Sequence, residues 1–277
     1  MAENPQPNRR KTWVIVLIVG AIVLLLVCAC VAAVAATGWF AFALPWQRGE
    51  IVGGNVDGII GRVEAQHMRE ETFQVSTPVL LDINNEVGTV RIIGADQDSV
   101  SVQVVVRGYG NTQAAAEEAA DRVNVEIRQV EDDHIRLVGD VPPAMNNSPN
   151  VDWIVRVPRQ TNVQLQNDVG EVQVENIVGS LRLQGGVGDI RVSSFTMTDD
   201  SEITMNVGEI TVSLPADSAF VLDADASVGD IISEFDVATT RRDSPGAGDS
   251  LAGPVGVDPE LTLRLRTRTG EIILRAD

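Results

Sequence analysis

The chain has 277 residues, 44% of them hydrophobic and only 4% aromatic, with a formal net charge of −18. Such a surface repels nucleic acid and anionic lipid headgroups, which excludes both as partners and leaves cations, cationic peptides and basic protein faces. The two cysteines, Cys28 and Cys30, lie two apart in one apolar block, so a helix points them to opposite sides and no disulfide staples the rest.

From Thr12 to Trp46 there is no charged residue. Its most apolar part, Trp13 to Ala36, is 24 residues long. At helical rise that is roughly 36 Å, more than a bilayer requires. Arg9, Arg10 and Lys11 precede it and Trp13, Trp39, Phe40, Phe42 and Trp46 mark its two ends. The positive-inside rule then keeps the N-terminus in the cytoplasm and the C-terminal bulk outside the cell membrane. Expected are a cytoplasmic tail (1–11), a transmembrane helix with its interface (12–44) and a Gly-rich, charged linker or stalk (45–72). A signal peptide cut near Ala33–Thr37, or lipidation at Cys30, are rival readings. In both the apolar run continues past the processing point, against the usual pattern.

From Phe73 onward the pattern changes to strands. Val79, Leu81 and Ile83 alternate, as do Val90 and Ile92, and Val100, Val102, Val104 and Val106. Ala114–Ala120 is too rich in alanine for a strand, so a short helix from Thr112 to Val123, N-capped by Asn111, is expected. Strands resume at Val123–Ile127, Ile135–Val138 and Val151–Val157.

One unit then recurs from residue 163 to 277, a Val-Gly-acid-Ile/Val-x-Val motif. Its glycines are Gly170, Gly188, Gly208, Gly229 and, as Thr-Gly-Glu, Gly270. They step by 18, 20, 21 and 41 residues, the last step containing a low-complexity insertion (Arg241–Pro259). Gly179 heads a half-step copy and Gly88 an early one. Before Gly170 the apolar residues are odd-numbered (Val163, Leu165, Val169), and after it even-numbered (Val172, Val174). A change of phase at a glycine marks a corner, at which Val and Ile on both sides turn inward. Short strands joined by such corners, each needing its neighbours to bury its apolar face, form stacked rungs. The fold class is therefore all-β: a β-solenoid or β-helix-like repeat domain (73–277) with one short α-helix. An antiparallel meander folded into a sandwich is the alternative.

The stretch Val151-Asp152-Trp153-Ile154-Val155-Arg156-Val157-Pro158, the strand Val163-Gln164-Leu165 and the Val-Gly-Glu/Asp-Ile repeats resemble the bacterial putative-adhesin family of β-strand-repeat domains. The resemblance spans roughly 73–277. It implies an extracytoplasmic β-repeat domain, often tethered by one membrane helix, and implies no catalytic residues; no cofactor is expected. The 241–259 insertion departs from the pattern and leaves the register of the last repeat open.

Catalysis is not expected. Nucleophilic chemistry needs a base beside a nucleophile, and His67 and His134 neighbour no nucleophile elbow. Gly185–Asp189 falls short of a calcium β-roll repeat, because Ile190 stands where that motif needs its Asp. The acids after the glycines, Glu171, Asp189, Glu209, Asp230 and Glu271, would form a ladder about 4.8 Å apart if each repeat is one rung. Solvated turn residues are one reading of that ladder and a cation site the other, with Arg182 and Arg191 placed to neutralise part of it. The function expected is a membrane-anchored, surface-displayed, adhesin-like binding or scaffolding module of the cell envelope. Its partner would be an envelope protein, peptide or surface ligand. The alternatives are an envelope-stress sensor that takes cations or cationic peptides on the acidic edge, and self-association through open ends of the stack.

Overall fold

The computed structural model describes residues 62–142, 149–238, 240–243 and 248–277. The expected tail, membrane span and most of the linker lie outside these residues. Among the described residues, no helix is long and apolar enough to cross a membrane.

Strands β1 (Val63–Gln74), β2 (Val79–Val87), β3 (Val90–Ala95) and β4 (Ser99–Gly110) precede the helix α1 (Gln113–Asp121). Then come β5 (Asn124–Glu131), β6 (His134–Asp140) and β7 (Asn150–Pro158). The repeats supply β8 (Thr161–Val169), β9 (Val172–Glu175), β10 (Val178–Gly179), β11 (Leu181–Val187), β12 (Ile190–Ser193), β13 (Thr196–Met197), β14 (Ser201–Val207) and β15 (Ile210–Leu214). The chain ends with β16 (Phe220–Ala226), β17 (Ile231–Ser233), β18 (Thr240–Asp243), β19 (Asp249–Val255), β20 (Thr262–Thr269) and β21 (Ile272–Ala276).

Three local expectations change. The charged stretch expected to end a linker at residue 72 is mostly strand, because β1 pairs with β4 from Val63–Gly110 through Gln74–Ser99. Most of its side chains face water, which is why its composition resembles a linker's. The helix cap is Thr112 rather than Asn111, since its hydroxyl accepts the Ala115 N–H at 3.2 Å. The low-complexity insertion contains the strands β18 and β19, an antiparallel pair that extends a sheet.

The strands form two large sheets. One runs β1-β4-β7-β3-β9-β12-β15-β21-β17 and the other β18-β19-β16-β20-β14-β11-β8-β2-β6-β5. Within the repeats the pairing is parallel, not that of an antiparallel meander. Each repeat gives one strand to each sheet, with the glycine corner between them: β8 to β9, β11 to β12, β14 to β15. β2/β3, with Gly88 at its corner, adds one more such rung, and β6 and β7 pair parallel to β2 and β3 beyond it.

Stacking departs from chain order at the end. β20 pairs with both β14 and β16, and β21 with both β15 and β17. The Gly270 rung thus lies between those of Gly208 and Gly229, and the long step between glycines is the detour through β18 and β19. Inward columns of one residue per strand build the core: Val90, Val172, Ile190, Ile210 and Ile272 on one side, Ile83, Leu165, Leu183, Ile203 and Leu265 on the other. These β-branched and leucine side chains interdigitate between the sheets without needing many aromatics, which fits the 4% content.

The ends of the stack are not bare parallel strands. At one end β4 and β5 run antiparallel to their neighbours, β1 lies outside β4, and α1 packs on β4 and β1. At the other, β19 runs antiparallel to β16. Ile231 at the start of the short edge strand β17 donates its N–H to the buried Asp249 carboxylate at 3.2 Å. The short edge strands β17 and β18 leave little length there for a further strand to pair with.

Candidate functional site

The corner glycines stand in one column along one edge of the stack, in the order Gly88, Gly170, Gly188, Gly208, Gly270, Gly229. Gly188 has φ 144°, and a Cβ there would strike the carbonyl oxygen of Gly170. The same collision recurs from each column member to the next. Glycine is required twice over, by the backbone conformation and by the approach of one rung to another. Ladder hydrogen bonds run through the corner: the Gly170 N–H donates to Val187 O at 2.8 Å, and the Gly188 N–H to Val207 O at 3.0 Å. Gly179 is not a member. It lies in β10, on the return turn, against the Thr161 carbonyl, and its φ is not positive.

The acids after the glycines stack beside the column. The Val172 N–H donates to Asp189 O, Ile190 to Glu209 O, Ile210 to Glu271 O and Ile272 to Asp230 O. The spatial order is therefore Glu171, Asp189, Glu209, Glu271, Asp230, with the last two exchanged relative to the sequence. Asp152, two rungs before Glu171, extends the row. It accepts the Thr89 N–H at 2.8 Å and pairs with Arg107.

Three acids of the row, Asp152, Glu171 and Asp189, are paired with arginines. Arg191 bonds Glu171 and, at 3.1 Å, Asp189. Burial opposes the charged guanidinium, yet the two carboxylates and their hydrogen bonds hold the Arg191 pKa above its ordinary value. Asp189 also accepts the Glu209 N–H at 3.1 Å. Arg182 takes no part. It lies on β11 in the other sheet, between Gln164 and Glu202. Among the described residues, no ion pair is made by Glu209, Glu271 or Asp230, and no group of three His, Cys, Asp or Glu side chains is set to hold a metal. Millimolar calcium is accordingly expected to leave the thermal midpoint unchanged; a rise of several degrees would reinstate the metal ladder.

On the other flank of the glycines stands a feature the sequence misplaced. Val169, Val187 and Val207 share the phase of the core residues before them, which predicts that they point inward, and Val228 precedes Gly229 in the same way. They are instead 46%, 52%, 46% and 46% exposed. The inward series ends one position earlier in that phase, at the buried Asn167, Gly185 and Met205. The valine then lies beyond the packed layer, on the outside of the bend. With Val87 and Thr269 these residues form one register column, an apolar ridge parallel to the acidic row.

The outer face of the second sheet carries a column of alternating charge: Arg136, Asp82, Gln164, Arg182, Glu202, Arg264, Asp223. Asp223 is held below the usual carboxylate range, first by the hydrogen bond from Arg266, against an opposing effect of burial, and then by Arg264. Its folded pKa is depressed, so it stabilises at neutral pH, and this is lost as pH falls from the ordinary carboxylate value through the depressed one. The site is over a third exposed, so the contribution is about 1 kcal/mol or less. Asp223→Asn is expected to lower the urea midpoint slightly at pH 7, with the gap to wild type closing by pH 2.

A cavity of about 330 Å³ opens at the opposite edge, lined by Thr77, Asp96, Gln97, Arg159 and neighbours. His67 lies 3.5 Å from Asp121 of α1 and His134 in the β5–β6 hairpin, neither beside a nucleophile.

Residues 159–253, about a third of the chain, match the family model described as Toastrack DUF4097. The chain is similar to the crystal structure of a putative cell adhesion protein from Clostridium sporogenes ATCC 15579. There, 78% of this chain aligns with 100% of the other at 14% identity and a TM-score of 0.52. That likeness shows the fold, an all-β repeat architecture. A putative adhesin from Bacteroides fragilis NCTC 9343 aligns over 75% and 97% of the two chains at 11% identity, with a TM-score of 0.26. A putative lipid binding protein from Parabacteroides distasonis ATCC 8503 aligns over 74% and 96% at 10% identity, with a TM-score of 0.23. Both scores are too low to carry an argument. No curated protein matches.

Proposed function

We propose that this chain is a non-catalytic binding module of the cell envelope, anchored by residues 12–44 and displayed outside the cytoplasm as a two-sheet β-solenoid. The observation that carries the reading is the repeated corner. Three residue types recur on successive rungs and produce a straight edge, with an apolar ridge beside an acidic row, rather than a cleft. A linear surface of this kind suits recognition of an extended partner, whereas chemistry needs convergent groups. The likeness to a protein described as a cell adhesion protein supports the fold side of this reading. The uncharged run from Thr12 to Trp46 behind Arg9, Arg10 and Lys11 supports the anchor.

The test is topological. Full-length chain carrying a C-terminal epitope is expressed, and protease is added to intact cells stripped of any outer layer. Loss of the epitope without lysis is the expected result. An epitope protected until the membrane is broken overturns the display reading.

A second reading, a sensor of cationic peptides, is favoured by one observation: among the described residues, Glu209, Glu271 and Asp230 are the three acids of the row that pair with no arginine. A lysine-rich peptide is then expected to bind in a salt-sensitive way, and Glu209→Gln/Glu271→Gln/Asp230→Asn to abolish that binding. Equal binding by the variant removes this reading.

A further inference from the structure

The outer edge of β1 lies uncovered by any described strand. It is a different surface from the valine ridge. The other edge strands, β17, β18 and β5, have 3, 4 and 8 residues, whereas β1 has 12 and is paired to β4 along its whole length. About half of its backbone N–H and C=O groups point away from β4, the arrangement that accepts another strand. Its charges, Glu64, Arg69, Glu70 and Glu71, blunt such an edge against most partners. They do not blunt it against every register of itself.

A second β1 added by a twofold axis runs antiparallel and keeps its inward face inward. Odd-numbered residues then oppose odd-numbered ones and even oppose even. Centring the axis on Arg69, Glu70 or Glu71 sets that residue against its own copy, like charge on like. Centring it on His67 sets Glu64 against Glu70. Centring it on Met68 brings no like charges together. Met68 then opposes Met68, Gln66 opposes Glu70, Glu64 opposes Thr72, His67 opposes Arg69, Ala65 opposes Glu71, and Val63 opposes Phe73. An axis on Gln66 also avoids like charges, but its register stops at Glu70 and leaves Phe73 unpaired. The Met68 register is thus the longest that the charges allow. It covers a methionine that is 65% exposed in the single chain, and it adds a Val–Phe cross-strand contact at each end.

We propose that two copies of this chain associate through β1, antiparallel and centred on Met68, to continue the sheet across a twofold axis. The self-complementary register selects a second copy as occupant rather than an unrelated strand, because a partner of arbitrary sequence meets the four charges without such matching.

The experiment uses the full-length chain in zwitterionic lipid nanodiscs, with Cys28 and Cys30 replaced by alanine. In the Met68→Cys variant the two thiols face each other at cross-strand distance, about 4.5–5.5 Å between Cβ atoms. Mild oxidation or a short bismaleimide is expected to convert most of the chain to a covalent dimer. Glu70→Cys is the control of similar environment. Its copies lie about 13 Å apart along the strands, four residues at strand rise, and are expected to stay monomeric under oxidation. Met68→Arg, which sets arginine against arginine in the middle of the pairing, is expected to give, once the disc mass is subtracted, half the protein mass of wild type by light scattering, with an unchanged far-ultraviolet spectrum. Three results would overturn the proposal: wild type monomeric at the highest concentration reached, Glu70→Cys crosslinking as well as Met68→Cys, or Met68→Arg remaining dimeric. The first is also the outcome if residues 1–61 of the same chain occupy the edge. None of them bears on the topology measured by protease.

Discussion

Gly188→Ala is expected to lose about 3–5 kcal/mol of stability, enough to leave a domain of ordinary stability marginal at 37 °C. Two costs add. The backbone at φ 144° lies in a region that side chains with a Cβ avoid. The new methyl also meets the Gly170 carbonyl of the next rung, a rigid atom that belongs to the ladder itself. Relief by local movement would pull β11–β12 away from β8–β9, and with it stretch the hydrogen bond from the Gly170 N–H to Val187 O. Urea unfolding with an unchanged slope checks this. Gly185→Ala is the informative control. Its added Cβ meets only the tip of Met205, which can swing aside, so a loss under about 2 kcal/mol is expected. A Gly188→Ala midpoint equal to that of Gly185→Ala would remove the column from the account of stability.

Asn85→Ala is the second large effect. Asn85 is fully buried and accepts the indole N–H of Trp153 at 3.0 Å while donating to Asn167 at 2.8 Å. Asn167, also buried, donates to the Gly88 carbonyl at 3.2 Å. The network therefore ties three successive rungs and the first glycine of the column together. Alanine leaves the indole donor and the Asn167 acceptor without partners inside the core. Two orphaned groups at about 1–2 kcal/mol each give a loss of about 2–4 kcal/mol. Asn167→Ala should cost less, and the double variant less than the sum of the two singles, because the shared bond is lost once. Additive losses in that cycle would mean that the two amides act independently.

The aligned resemblance and the fold agree where the pattern is short-range. A period of about twenty residues, a change of phase at each glycine and the near-absence of aromatics were all legible. They follow from strand geometry, which alternates side chains with period two whatever the rest of the chain does. The parallel rungs, the corner glycines Gly88, Gly170, Gly188, Gly208, Gly229 and Gly270, and the adjacency of their acids follow from that alternation. Gly179 was grouped with them on the same local pattern, yet it has an ordinary φ, because the return turn needs closeness to Thr161 but no reversal of the backbone.

What the sequence by itself determined is the unit: which residues make a strand, where the corner lies, and that one rung cannot bury its face alone. Only the tertiary structure decided how units meet. The Gly270 rung enters between two earlier ones because β19 occupies the free side of β16, a pairing set by long-range fit rather than by any local signal. The exposure of Val169, Val187, Val207 and Val228 marks where burial along the strands ends, a limit that periodicity does not carry. The pairing of Asn85 with Asn167, 82 residues apart, and the capture of Glu171 and Asp189 by Arg191 likewise required the stacking order to be known. The strand β1 was read as a linker because an edge strand is solvated on most of its surface, and only its pairing with β4 distinguishes it from a stalk.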